Sequence, residues 1–245
     1  MAFLPFSSPH QGKLIKRYKR FLVDVLLEGD DEVTTAHTSN TGAMTGLLEE
    51  GNDALLTYHD VKTRKLKYGL EALRTADAWV GVNTHLANKI VKEVFVAKEL
   101  PAFAGYDEVK AEKKVEAPLG HTSRIDFFLS GHPDLADAFV EVKSVTLREG
   151  TTALFPDAVS ERGKKHLQAL MDLKSQGFRV VMLYLVQRVD CERFAPAFNV
   201  DKAYCQTLIE AVEQGVEIFA LRCEIDKTGV RTKDLLPICL DENAL

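Results

Sequence analysis

The hydrophobic pattern of this 245-residue chain changes character near residue 83, and that change limits the folds open to it. Ahead of it the apolar runs are short, alternate with polar residues and are broken by turn residues. RFLVDVLLEG (20–29) runs into a Gly-Asp-Asp turn; EVTTAHT (32–38), an Asn-Thr-Gly turn, Gly51-Asn52, DALLTYHD (53–60) and WVGVN (79–83) follow. This predicts a small antiparallel barrel or sandwich over residues 1–83. An OB-type barrel is one candidate of that size, and such barrels often bind oligonucleotides.

After residue 83 helix and strand signals alternate. Thr84 can cap a helix in which Leu86, Ala87, Ile90, Val91 and Val94 keep the 3.6-residue period to about Lys98, ahead of Pro101. Strand-like runs follow at 109–117, 124–130 and 138–145. Ser160 opens a second helix that closes at Gly177, RVVMLYLVQ (179–187) reads as a buried strand, and a helix at about 201–214 precedes the strand EIFALRCEI. Helix, three strands, helix, strand is the core order of the PD-(D/E)XK, restriction-endonuclease-like fold. The predicted class is therefore α+β: an OB-like β-barrel over 1–83, then a PD-(D/E)XK α/β domain over 84–245.

Within AFVEVKSV (138–145) side chains alternate faces, so Glu141 and Lys143 project together from the middle of an apolar run. If Leu129 lies opposite Ala138, Asp126 stands across from Glu141 on the same face. Isolated Glu-x-Lys spacing is commonly a solvated ion pair. Here apolar residues flank all three charges, and charge buried that way is costly unless it holds a metal or does chemistry. The predicted catalytic trio is Asp126, Glu141 and Lys143: the carboxylates to hold Mg²⁺ or Mn²⁺, the lysine to orient water and stabilise charge on a phosphodiester. Glu93, at the edge of the first helix's apolar stripe, is an accessory metal-ligand candidate, with pairing to Lys89 an equal alternative.

The net charge of −5 excludes indiscriminate adhesion to nucleic acid, but the charges are segregated. Residues 1–23 hold five cations and no acid, whereas residues 24–60 hold nine acids and no Lys or Arg. The basic stretch supplies Lys13, Lys16, Arg17, Lys19 and Arg20, interleaved with Tyr18, as candidates to track a single strand, against the alternative of a strand with a solvated charged face. Arg162, Lys164 and Lys165 open the second helix where cations oppose its dipole, so phosphate contact is a second reading beside an exposed basic turn. The four cysteines lack zinc spacing and read as reduced thiols; His166, like the other histidines, reads as structural. No apolar run suits a membrane span or a leader, which makes the cytoplasm the default and a membrane partner unexpected. The expected partner is DNA, held mainly through phosphates; self-association into a homo-oligomer is compatible with the sequence but not specified by it.

RYKRF (17–21), NTGAMTG (40–46), VNTHLANK (82–89), SRIDF (123–127), VEVKSVTL (140–147) and FPDAVSERG (155–163) together resemble the sugar fermentation stimulation (SfsA) family, over essentially the whole chain. The resemblance implies an OB-like domain followed by a nuclease-like one, DNA binding, and a regulatory role in sugar (maltose) metabolism. It also implies a nuclease superfamily site at Asp126, Glu141 and Lys143, and more weakly at Glu93. Ile125 stands where that superfamily has a proline. Two activities stay open: a metal-dependent DNA phosphodiesterase of weak sequence specificity, and a non-catalytic DNA-binding regulator on the same fold.

Overall fold

The computed structural model describes residues 1–116 and 122–242. A barrel forms from β2 (Pro9–Tyr18), β3 (Leu22–Leu27), β4 (Val33–His37), β5 (Asp53–Tyr58) and β6 (Tyr68–Arg74), with β7 (Trp79–Gly81) appended. Its order is β4-β3-β2-β5-β6, and a parallel bridge between His37 and Gly69 closes five strands on themselves. Closure removes the free edges that an open sheet this small would present. Leu14, Val23, Val25, Leu56, Leu70 and Val80 fill the interior. β6 has no counterpart among the predicted strands: YGLEALR is rich in helix formers, and burial between two strands overrides that preference.

The second unit is a seven-stranded sheet between helices. Its order is β1-β16-β15-β13-β10-β9-β8, made of β1 (Phe3–Pro5), β8 (Glu108–Glu116), β9 (Thr122–Ser130), β10 (Ala138–Val145), β13 (Arg179–Val186), β15 (Glu217–Asp226) and β16 (Gly229–Leu235). α1 (Thr84–Val96) covers one face through Leu86, Ile90, Val91, Val94 and Phe95. α2 (Glu161–Ser175) and α3 (Lys202–Glu213) cover the other through Leu167, Leu170, Tyr204 and Leu208. β13 is central, parallel to both neighbours and buried along nearly its whole length, as a strand sandwiched between helical layers must be. A small sheet of β11 (Leu147–Glu149), β12 (Thr152–Phe155) and β14 (Arg193–Pro196) packs beside it.

Two details depart from the sequence reading. The cap of α1 is Asn83, whose side chain accepts from the His85 N–H, and Thr84 is the first helical residue. A division at residue 83 is not respected by β1, which pairs antiparallel with β16 and so places residues 3–5 in the sheet of the second unit. Among the described residues no helix is long and apolar enough to cross a membrane.

Candidate active site

Asp126 and Glu141 meet through strand register. β10 pairs with β9 as Ala138–Leu129, Phe139–Phe128 and Val140–Phe127, the alignment that brings Asp126 opposite Glu141. At that step the Asp126 carboxylate accepts the Val142 N–H at 2.9 Å, a side chain taking a backbone donor of the adjoining strand. Asn88 of α1 donates to its other oxygen at 2.7 Å. Burial, and then the neighbouring Glu141, hold the Asp126 carboxyl above the usual aspartate value.

Glu141 is 2% exposed. One of its oxygens contacts both the Lys143 ammonium, at 2.6 Å, and the His166 Nδ1. Lys143 also lies 3.1 Å from His166 Nδ1. Burial pushes Glu141 up, but Lys143 and His166 outweigh it and hold the carboxyl below the usual glutamate value. Its second oxygen, Oε2, is buried with no hydrogen-bond partner. A carboxylate lone pair left in that state is costly unless something electropositive fills the space in front of it.

These groups line a cleft of about 360 Å³ between the two units. α2 contributes Arg162, whose Nε lies 3.3 Å from His166 Nε2. The barrel contributes the loop around Thr41 and Gly42, together with Arg20. That loop is seated on Asp157: the Met44 N–H donates to its carboxylate at 3.3 Å, and a Cβ at Gly42 would overlap the carboxylate itself. Glycine is required there by the closeness of the approach.

The structure redistributes the other predicted site residues. Glu93 is on the exposed side of α1 and does not line the cleft; its place beside Asp126 is taken by Asn88, four residues before the Lys92–Glu93 step turns away. Arg17 is a structural clamp, donating to the carbonyls of Arg20, Asn40 and Gly42 at 2.8 to 3.0 Å. Lys13 pairs with Asp53 at 2.5 Å, Lys164 with Glu161 at 2.8 Å, and the Tyr18 hydroxyl donates to Asp24, which Lys16 also approaches. Lys19 takes a left-handed conformation in the turn after β2, and Lys165 is exposed on α2 away from the cleft. Of the basic N-terminal stretch, Arg20 alone reaches the cleft; of the α2 cations, Arg162 alone does. His166, read as structural from sequence, is a central member of the site; its spacing of four from Arg162 on one helix face was the available signal. Among the described residues no three His, Cys, Asp or Glu side chains stand together as a metal cage.

A closed OB barrel joined to an α/β domain, with a two-carboxylate and lysine cleft at their junction, defines a two-domain protein of a recognisable class. Residues 15–82 match the family described as SfsA N-terminal OB domain, and residues 85–229 match Sugar fermentation stimulation protein RE domain. The chain belongs to the sugar fermentation stimulation (SfsA) family. It is 45% identical to the sugar fermentation stimulation protein homolog of Citrifermentans bemidjiense, over 94% of this chain and 96% of that one. The homolog of Ruegeria pomeroyi is also 45% identical, over 92% and 96%. The structure of Pyrococcus furiosus SfsA in complex with Ca²⁺ superposes with a TM-score of 0.87 at 25% identity, covering 98% of this chain and 99% of that one.

Proposed function

We propose that the chain is a divalent-metal-dependent phosphodiesterase acting on DNA, with the cleft between barrel and sheet as its active site. The observation that carries this reading is the buried, unpartnered Glu141 Oε2 beside the Asp126 carboxylate that strand register sets opposite it. Two carboxylates without a third acid suit Mg²⁺ or Mn²⁺, which keep several waters and complete their shell with substrate phosphate. Asp126 and Glu141 would hold the ion, with Asn88 fixing the Asp126 carboxylate. When bound, such an ion polarises the phosphoryl oxygens and lowers the pKa of a coordinated water. The Ca²⁺ complex of the Pyrococcus relative, another hard oxygen-seeking cation, supports a divalent site in this fold.

The chain's own groups supply the rest. Lys143, with its side chain 14% exposed, presents an ammonium at the cleft floor to orient a water and to balance charge building on the phosphate. Arg162 adds a second cation from α2, and His166 positions Lys143 and Glu141 against one another. The test is incubation of single-stranded, double-stranded and branched DNA with Mg²⁺, Mn²⁺ or EDTA. Metal-dependent cleavage lost in both Glu141→Ala and Lys143→Ala is the expected result; binding without cleavage on every substrate would defeat it.

One observation favours the alternative, a non-catalytic DNA-binding regulator: Lys143 and His166 already compensate Glu141 without a metal. That reading predicts that Glu141→Ala binds DNA at least as well as the unaltered chain, since a carboxylate near phosphate repels it, and that neither protein cuts. A role in sugar metabolism follows only from the family's name.

A further inference from the structure

A second cleft, of about 470 Å³, lies beside the first and shares Thr84 and Asn88 with it. His37 of β4, His59 and Arg64 of the β5–β6 connection, and His85 and Lys89 of α1 line it. Two carboxylates also face it, and both are engaged. Glu71 is 4% exposed and accepts from Asn83 Nδ2 at 2.8 Å and from Thr57; Glu112 is paired with Arg124 at 2.9 Å.

The positive and donor groups are not engaged in this way. Among the described residues the side chains of Arg64 and Lys89 make no hydrogen bond or close ion pair, although their charge acts at longer range on Glu71, and the rings of His37, His59 and His85 make no hydrogen bond. Several of them gather around Gly69, which bridges to His37 and whose missing side chain leaves room: a Cβ there would stand 3.2 Å from both Arg64 Nη2 and His59 Nε2. Burial, and next Arg64, hold His37 and His59 below the usual histidine value, so near neutrality each ring offers an N–H without adding charge. The start of α1 brings the positive end of a 13-residue helix to the same cleft. These histidines are not grouped as metal ligands, and two permanent cations beside them would repel a metal ion. The ligand they suit is an anion.

We propose that this cleft is a phosphate subsite, which holds a second phosphate of the nucleic-acid strand whose scissile phosphate lies at Asp126, Glu141 and Lys143. The inference rests on the nucleic-acid reading of the first cleft and adds the place where the strand is gripped next to it. Arg64 and Lys89 supply the charge, the imidazole N–H groups the directional bonds, and the barrel thereby acts in substrate positioning through His37, His59 and Arg64.

The test is a titration of the full-length protein with inorganic phosphate in EDTA, followed through the histidine ring signals by NMR. Saturable shifts of His37, His59 and His85 are expected in the unaltered chain and in Glu141→Ala. Arg64→Ala and Lys89→Ala, whose side chains make no direct hydrogen bond or close ion pair and act on Glu71 only through longer-range charge, should change the Tm little and weaken the response about tenfold or more each. Absence of a saturable shift, or a response unchanged in both variants, would overturn the subsite. Oligothymidylate with and without a 5′-phosphate is then added as competitor. Displacement by the phosphorylated strand alone identifies a strand-end phosphate, equal displacement an internal phosphodiester, and displacement by neither overturns the nucleic-acid assignment. Cleavage by the unaltered chain with a flat histidine response sinks the subsite and leaves the phosphodiesterase reading standing; a saturable, competed response without cleavage does the reverse.

Discussion

Asp126 and Glu141 face one another with opposite electrostatic histories, and each leaves a distinct mark on stability. The folded Asp126 holds its proton to higher pH than an unfolded aspartate. Between the two values the native state binds more protons, so stability falls as pH rises through that window. Asp126→Asn removes the fall: its amide oxygen can accept from Val142, and its NH₂ can donate to Asn88 after an amide flip. In Tm measured against pH without metal, the unaltered chain should lose ground relative to the variant as pH rises above the ordinary aspartate value, the difference isolating Asp126 from the other carboxylates. Mg²⁺ should raise Tm at neutral pH in the former only. Glu141 runs the other way, its lowered value giving stability that is present above the ordinary glutamate value and lost as pH falls. His166→Ala removes a hydrogen-bond partner from that buried carboxylate and should cost about 1–3 kcal/mol in denaturant unfolding.

The loop Asn40–Met44 and the corner at Asp157 make a close contact between barrel and sheet, and their fit depends on a missing side chain. Gly42→Ala places a methyl group where the Asp157 carboxylate sits, so it should lower stability by about 1–3 kcal/mol, the usual cost of forced overpacking. Asp157→Gly in the same chain should recover part of that loss, a coupling that a double-mutant cycle reads directly. Arg17→Ala, which leaves the carbonyls of Asn40 and Gly42 without their donor, should loosen the same loop by a similar amount. At this scale the limits of the sequence become visible. Asp126, Glu141 and Lys143 could be read because alternation along two strands and one register put them together. Asn88 and Asp157 could not, because α1 and the 155–160 segment reach the cleft only through packing on the sheet, and for His166 the spacing from Arg162 was the one signal available. β1 was invisible for a related reason: three residues carry no period, and their partner lies at the other end of the chain. Glu93 fell on the wrong side because an apolar stripe tells which face is inward but not which polar residue at its margin meets a ligand.

For the molecule as a whole, the acidic balance and the gathering of cations in two adjoining clefts predict affinity for DNA that comes from few phosphate contacts in a definite place. The logarithm of affinity should fall with the logarithm of salt, with a slope smaller by about 0.7 for each single-strand phosphate contact removed; Arg64→Ala and Arg162→Ala should each flatten it, and Lys13→Ala, already paired with Asp53, should not. Deletion of residues 1–7 should lower Tm although the barrel is intact, because Leu4 and Phe6 pack against the core of the second unit and β16 would become an uncovered edge.

The pairing of β1 with β16 also sets a timetable. The bond from Thr232 to the Ala2 carbonyl joins positions 230 residues apart, so the first strand leaves the ribosome long before the strand it must meet has been translated. The barrel has what it needs to close early, during synthesis, whereas the sheet is completed only when the tail arrives and the two ends of the chain are brought together. A polypeptide stalled before β16 would carry a finished barrel and a sheet still lacking the strand that joins β1 to β15.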